Sequence, residues 1–284
     1  MSKRGWILFL ALGIIWGAPY LLIRVAVESI DPLVVAFGRT AIGALLLLPI
    51  ALHRKALAPA FGRWKPLLAF TLVEISGPWL LLGHAETRLN SSTTGLMIAI
   101  VPLMAAVIVT RMGHDRLDAK RIAGLVIGLA GVATLVGIDI HLSDYLAVGA
   151  IVLASLGYAI GPIILNRKLA DVPPIGVATG SMILAVAMYA PFAPMLWPAH
   201  TTWAAVGSVA GLGVLCTAIA FVMFFALIAE VGPARATVIT YINPVVAIIL
   251  GVLLLDEPFT LGMAIGFPLV IAGSILATGR TATH

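Results

Sequence analysis

Two charged residues stand deep inside apolar runs: Glu74 in Thr71-Leu72-Val73-Glu74-Ile75, and Arg39 in Ala36-Phe37-Gly38-Arg39-Thr40. A charge in hydrocarbon is costly, so each must face protein or water. A carboxylate placed there can hold a substrate ammonium or a proton. A structural salt link between Glu74 and Arg39 explains the two residues equally simply, and the sequence leaves both readings open. Thr71, Pro78 and Leu81 share the helical side of Glu74 and give it an inward surface. His84, Glu86 and Arg88 fall at the end of the same run and read as a solvated rim.

Aromatic residues supply the second chemistry. Trp16 and Tyr20 are four apart and share a helix side with Gly13; Ser155, Tyr158 and Pro162 make a comparable face later in the chain. Interfacial belts hold aromatics at the ends of membrane spans, which suits Trp6, Trp197 and Trp203 but not residues in mid-run. Trp16, Tyr20, Trp79, Tyr158 and Tyr241 therefore read as flat, partly polar walls for an apolar or aromatic solute, with helix packing as the alternative for any one of them. Thr237, Thr240 and Tyr241 gather on one side of the helix carrying Pro244, as lining residues or as hydroxyls bonded to their own backbone. Asn243 points more than a quarter-turn away from Tyr241.

The chain lacks the groupings that catalysis needs. Its six histidines are scattered, no nucleophile stands beside a base, and no Gly-x-x-x-x-Gly-Lys loop is present to bind ATP. No cofactor and no metal are expected. Cys216 is the single cysteine, which excludes an internal disulfide and suits a small packing residue.

The elements that position these residues are membrane helices. With 61% hydrophobic and 10% charged residues, the chain cannot cover a soluble surface. A net charge of +5 would suggest nucleic acid in a soluble protein, but here the basic residues occupy short loops, and a lipid bilayer is the partner instead. A span needs about 20 apolar residues. Such runs cover about 6–27, 32–53, 65–85, 91–111, 120–138, 144–166, 174–197, 203–230, 234–255 and 260–278. The first is longer than the roughly 7 to 15 residues of a signal-peptide core and reads as a signal-anchor with its N-terminus inside. Lys3, Arg4, Arg54, Lys55, Arg63, Lys65, Arg111, Arg116, Lys120, Arg121, Arg167, Lys168, Arg235 and Arg280 fall on one side, against Arg24 and Arg88 on the other. This bias puts both termini in the cytoplasm.

An ungapped shift of 142 residues, half of the 284-residue chain, lays Pro32 on Pro174, Pro49 on Pro191, Pro102 on Pro244, and Gly124, Gly131 and Gly137 on Gly266, Gly273 and Gly279. The chain reads as one five-span unit written twice. An odd number of spans inserts the second copy upside down, the arrangement that places a substrate site between halves and opens it to each side in turn. Pro102 and Pro244 are then matched hinges, with Arg39 as a structural charge. Asp115 and Glu257 are matched acids expected to cap the fifth and tenth spans. Gly124, Gly128, Gly131, Gly262, Gly266 and Gly273 suit close helix contacts, within the chain or across a homodimer.

Trp16-Gly17, Arg39, Pro102 followed by Asp115, then Pro244, Glu257 and the Gly266 to Gly273 helix resemble the EamA-type branch of the drug/metabolite transporter superfamily, over essentially the whole chain. The resemblance implies an all-α integral membrane fold of ten transmembrane helices in two inverted repeats, 1–142 and 143–284. It also implies a secondary transporter of the bacterial inner membrane that exports small metabolites, amino acids foremost, and looks most like the aromatic amino acid exporters. Other metabolites or cationic drugs are alternative cargoes, and a channel is the alternative from another class. The chain departs from the pattern at Asp115, where Glu is usual, and at Pro162 in the sixth span.

Overall fold

The computed structural model describes residues 2–112, 118–232 and 236–278, with the side chains of Thr237, Val238 and Thr278 outside that description. Among the described residues, seven helical segments are long and apolar enough to cross a membrane: α1 (Lys3–Ala26), α2 (Pro32–His53), α3 (Trp64–Glu86), α4 (Ser91–Arg111), α5 (Ala119–Asp139), α6 (Leu142–Lys168) and α8 (Trp203–Val231). Three shorter apolar helices complete the order, α7 (Pro174–Tyr189), α9 (Ile239–Leu254) and α10 (Leu261–Ala277). The described residues contain no strand. Helices satisfy their own backbone, which is what hydrocarbon demands. Large apolar side chains such as Ile7, Ile14, Leu45, Val126, Leu146 and Leu253 are exposed on the outside of the bundle, as a lipid-facing surface requires.

The observed helices follow the apolar runs with one clear difference. The seventh run was expected to stay helical to 197, but α7 stops at Tyr189 and a short 3-10 turn, Ala193–Leu196, follows. Pro191 stands just past this end, where its missing amide cannot continue the helical hydrogen bonds, although Ala190 before it keeps helical angles.

Packing pairs the helices in a regular way: α1 with α8, α2 with α7, α3 with α6, α4 with α9, and α5 with α10. The 142-residue shift carries this set of pairs onto itself, exchanging α1–α8 with α6–α3. The α5–α10 seam is the tightest. A Cβ added at Gly273 would lie 2.3 Å from the Gly128 amide nitrogen, and one at Gly131 would lie 2.8 Å from the Gly266 carbonyl oxygen. Only glycine lets these backbones approach so closely. The seam glycines are thus used inside the chain.

Glu257 corrects an expectation. It caps the fourth span rather than the tenth, accepting from the amides of Ser91 (2.8 Å) and Ser92 (2.9 Å) and from the Ser92 hydroxyl (2.5 Å). Carboxylate and helix N-terminus are complementary, so the loop into α10 is tied to the start of α4. The cap of α10 is Thr260, whose hydroxyl accepts from the Met263 amide and donates to Asp139 at the end of α5. Asp115 lies outside the described residues. Glu86 is also corrected: instead of a solvated rim residue it is 0% exposed, and neither carboxylate oxygen has a hydrogen-bond partner. It ends α3, where the Arg24 guanidinium of α1 donates to the Glu86 carbonyl at 2.8 Å.

Candidate functional site

The matched prolines sit where helices break and restart. In α4 the first helix ends at Ile98 and the second runs Val101–Arg111, with Pro102 in its first turn. Between them the amides of Ala99 and Ile100 bond back three residues, to Leu96 and Met97, both at 3.1 Å. In α9 a 3-10 turn, Thr237–Tyr241, precedes a helix Asn243–Leu254 that carries Pro244 in its first turn, and Ile242 bonds back to Ile239 at 2.8 Å. A first-turn proline lacks only a donor that no intrahelical acceptor could have used, so these prolines start helices rather than kink them. Pro19 does the same in α1, between Lys3–Gly17 and Pro19–Ala26.

A second pair of distortions lies in α3 and α8, each of which contains a π-helical turn, Thr71–Ser76 and Val214–Ile219. Such wide turns leave carbonyls loosely bonded and often mark functional positions. Hydroxyls reach back five residues in both: Ser76 donates to the Thr71 carbonyl at 3.0 Å, and Thr217 to the Leu212 carbonyl at 2.8 Å.

Glu74 rides on the first of these turns and Thr217 on the second. The Glu74 Oε2 is buried with no hydrogen-bond partner, and the carboxylate lies so close to Gly161 of α6 that a Cβ there would overlap it. Gly157, one turn earlier, likewise admits the Val73 carbonyl. The small residues of α6 thereby make room for a carboxylate between α3 and α6. Arg39 does not pair with it; the ion pair found among the described residues is the exposed Arg63–Asp171. The Arg39 guanidinium lies over the Trp79 ring, its carbon 3.5 Å from the centroid, and its Nε donates to the Thr217 hydroxyl at 3.0 Å. A cation over an indole face is favourable when both are shielded from water.

The expected residues divide into groups. Trp79 and Tyr189 are buried in one cluster with Ile75 and Met182, and half-buried Tyr158 packs against it, so Arg39, Trp79 and Tyr158 share one neighbourhood. Tyr158 also packs on the neighbouring cluster that buries Tyr20 with Leu82, Leu96, Met97 and Ala247. Half-buried Trp16 stands edge-on to Phe221 at 6.4 Å and tilted against Phe224 at 4.8 Å, and Phe221 in turn borders the Trp79 cluster. Tyr241 is half-buried and Thr240 exposed on the 3-10 turn of α9, and neither belongs to these clusters. The Thr237 side chain lies outside the description. Thr217, Tyr189 and the two π turns were not singled out from the sequence. Hydroxyls and one tyrosine in apolar runs carry no pattern of their own, and a single wide turn does not disturb the apolar periodicity enough to be read.

A bundle of apolar helices, several broken at mid-length, around unpaired charges and aromatic rings defines a multi-pass membrane transporter. The EamA-like transporter family model matches residues 3–137 and again 145–279, and the chain belongs to that family. It is 30% identical over 254 residues to an uncharacterized inner membrane transporter, YedA, of Escherichia coli strain K12, covering 85% of this chain and 79% of that protein. It is 25% identical over 285 residues to a probable terminal-alkyne amino-acid exporter of Streptantibioticus cattleyicolor, covering 99% of this chain and 95% of the relative. A crystal structure of a protein 20% identical superposes with a TM-score of 0.70 over 98% of both chains, a likeness of fold. The relatives are named as transporters, not enzymes, in keeping with a chain that lacks catalytic groupings.

Proposed function

We propose that the chain is a secondary carrier of a bacterial inner membrane that exports small metabolites, amino acids first and aromatic or neutral ones foremost, by alternating access between two inverted five-helix repeats, 1–142 and 143–284. The observation that carries this reading is the recurrence of the same distortions in both halves. Broken α4 and α9 each restart at Pro102 or Pro244, and α3 and α8 each contain a π turn, at Thr71–Ser76 and Val214–Ile219. The two family matches, 3–137 and 145–279, are displaced by the same 142 residues that align the prolines. Alternate spans of the ten-span reading would place both termini in the cytoplasm, and five-span halves would be inverted. The amino-acid reading draws on the relative named as an amino-acid exporter and on aromatic walls at Trp79 and Tyr158 beside two charges. The unpaired Glu74 favours, as a second reading, a cationic drug or other cationic metabolite.

Counterflow of radiolabelled phenylalanine in liposomes containing the purified protein tests the proposal. Saturable uptake that depends on internal unlabelled phenylalanine is expected. Non-saturable flux would assign a channel, and saturable exchange of a cationic drug but not phenylalanine would assign the second reading. Crosslinking in the same liposomes reads whether the carrier is a homodimer.

A further inference from the structure

Arg39 is an unusual residue to find at the centre of a membrane bundle without a counter-ion. It is only 6% exposed, and among the described residues no carboxylate pairs with it. Removing a guanidinium from water is costly, and proteins ordinarily recover the cost with a carboxylate or with a full set of hydrogen bonds. Here neither is present. Trp79 covers one face of the guanidinium at 3.5 Å, and Thr217 takes the Nε–H at 3.0 Å. The Nη1 and Nη2 edge makes no hydrogen bond to any described residue.

The residues around that edge hold it in one orientation. The Thr217 hydroxyl accepts from Arg39 and donates to the Leu212 carbonyl across the π turn, so its direction is fixed at both ends. The Trp79 ring is buried, and its neighbour Tyr189 is tied down by a 2.6 Å hydrogen bond from its hydroxyl to the Ser76 carbonyl. The π turns of α3 and α8 thus supply the backing on two sides. Half-buried Tyr158 and Phe221 border the same cluster and keep accessible surface. A guanidinium gripped by its face and its Nε presents the two parallel N–H bonds that match a carboxylate in plane and spacing.

We infer that Arg39 binds the carboxylate of the transported solute, with half-buried Tyr158 and Phe221 flanking the solute's apolar part. The inference deepens the amino-acid reading above and rests on it for the identity of the solute; the chemistry it assigns is that of a carboxylate. Arg39 thereby changes from a structural charge to a specificity-determining residue. Its missing counter-ion arrives with the cargo, so the loaded site is neutralised and the unloaded site is not. A solute without a carboxylate would leave the guanidinium unpaired and bind more weakly by the strength of a charge-assisted bidentate contact.

The test uses the full chain purified in detergent micelles, with affinities read from the shift in unfolding temperature as each of three probes is titrated: L-phenylalanine, L-phenylalaninamide and 3-phenylpropanoate. Wild type is expected to bind phenylalanine at least about tenfold more tightly than the amide, the factor that corresponds to one charge-assisted contact. Arg39→Lys keeps the charge but not the fork, and is expected to weaken both carboxylates about tenfold while leaving the amide unchanged. Arg39→Gln is expected to abolish the preference. Should that variant fail to elute as a single species, the wild-type selectivity and Arg39→Lys decide the matter alone. Equal affinity for phenylalanine and its amide, full affinity in Arg39→Lys, or binding of neither carboxylate overturns the inference. The two readings fail separately. Arg39-dependent binding of 3-phenylpropanoate without binding of phenylalanine keeps the carboxylate subsite and removes the amino-acid reading. Saturable phenylalanine counterflow that is unaltered in Arg39→Lys does the reverse.

Discussion

The α5–α10 seam and the centre of the bundle bury polar and charged groups in opposite ways. At the seam, backbones meet across Gly124, Gly128, Gly131, Gly266 and Gly273 with no space left, and Thr260 ties the ends of the two helices through Asp139. Nearby, Glu257 is 8% exposed and has three donors on its two oxygens. At the centre, Glu74 Oε2 has none, and Arg39 has no carboxylate. Glu86, though close to Glu257 in the fold, belongs with the centre in this respect. Matched groups gain nothing from a ligand, whereas unmatched ones recover their lost solvation only when something binds. The polar groups of the seam are matched within the chain, and those of the centre are not.

That contrast can be broken at four places. Gly273→Leu at the seam should cost the most, about 3 kcal/mol, because the added side chain meets backbone and not a movable side chain. Loss of a single elution peak, or a large drop in unfolding temperature, is the expected reading; wild-type stability would mean that the seam yields. Glu257→Gln should cost about 2 kcal/mol in the same measurement, since an amide cannot accept from all three donors with a full charge. The double variant Pro102→Ala with Pro244→Ala should change stability by no more than about 1 kcal/mol, because a first-turn proline owes its benefit mainly to the unfolded chain. Its membrane insertion should be normal and its counterflow slower, and unaltered counterflow would remove the hinge role. Glu74→Gln should have the smallest effect on stability, under about 0.5 kcal/mol, as no hydrogen bond is lost. Its transport should nonetheless fall roughly tenfold, the loss of one charged contact to solute or proton. Normal transport at every pH would leave Glu74 without either role.

Much of this architecture can be read before any coordinates. The apolar runs place α1 to α6 and α8 within a few residues, and the 142-residue register of Pro102 with Pro244 locates the two restarts of α4 and α9. Glu74, Arg39, Trp79 and Tyr158 stand out because charge and mid-span aromatics are expensive or unexplained in lipid. Other features leave no trace of that kind. Glu257 reads as a cap, but the helix it caps is set by a contact 166 residues away. Glu86 reads as rim because it ends a span, and only the tertiary packing shows it fully buried, with Arg24 of α1 bonded to its carbonyl.

The sequence by itself determined the solvent, the helices and the doubled register. A chain this apolar must satisfy its backbone internally, and its matched Pro102 and Pro244 stand where helices restart. Tertiary structure alone decided which buried group meets which. The Arg39 contact to Thr217 spans 178 residues, and Glu74 settles against Gly161 instead of Arg39. The reason is geometric. Periodicity along one helix reports which side faces inward, but a hydrogen bond between two helices depends on their relative height and rotation, and these are set by the packing of all the others.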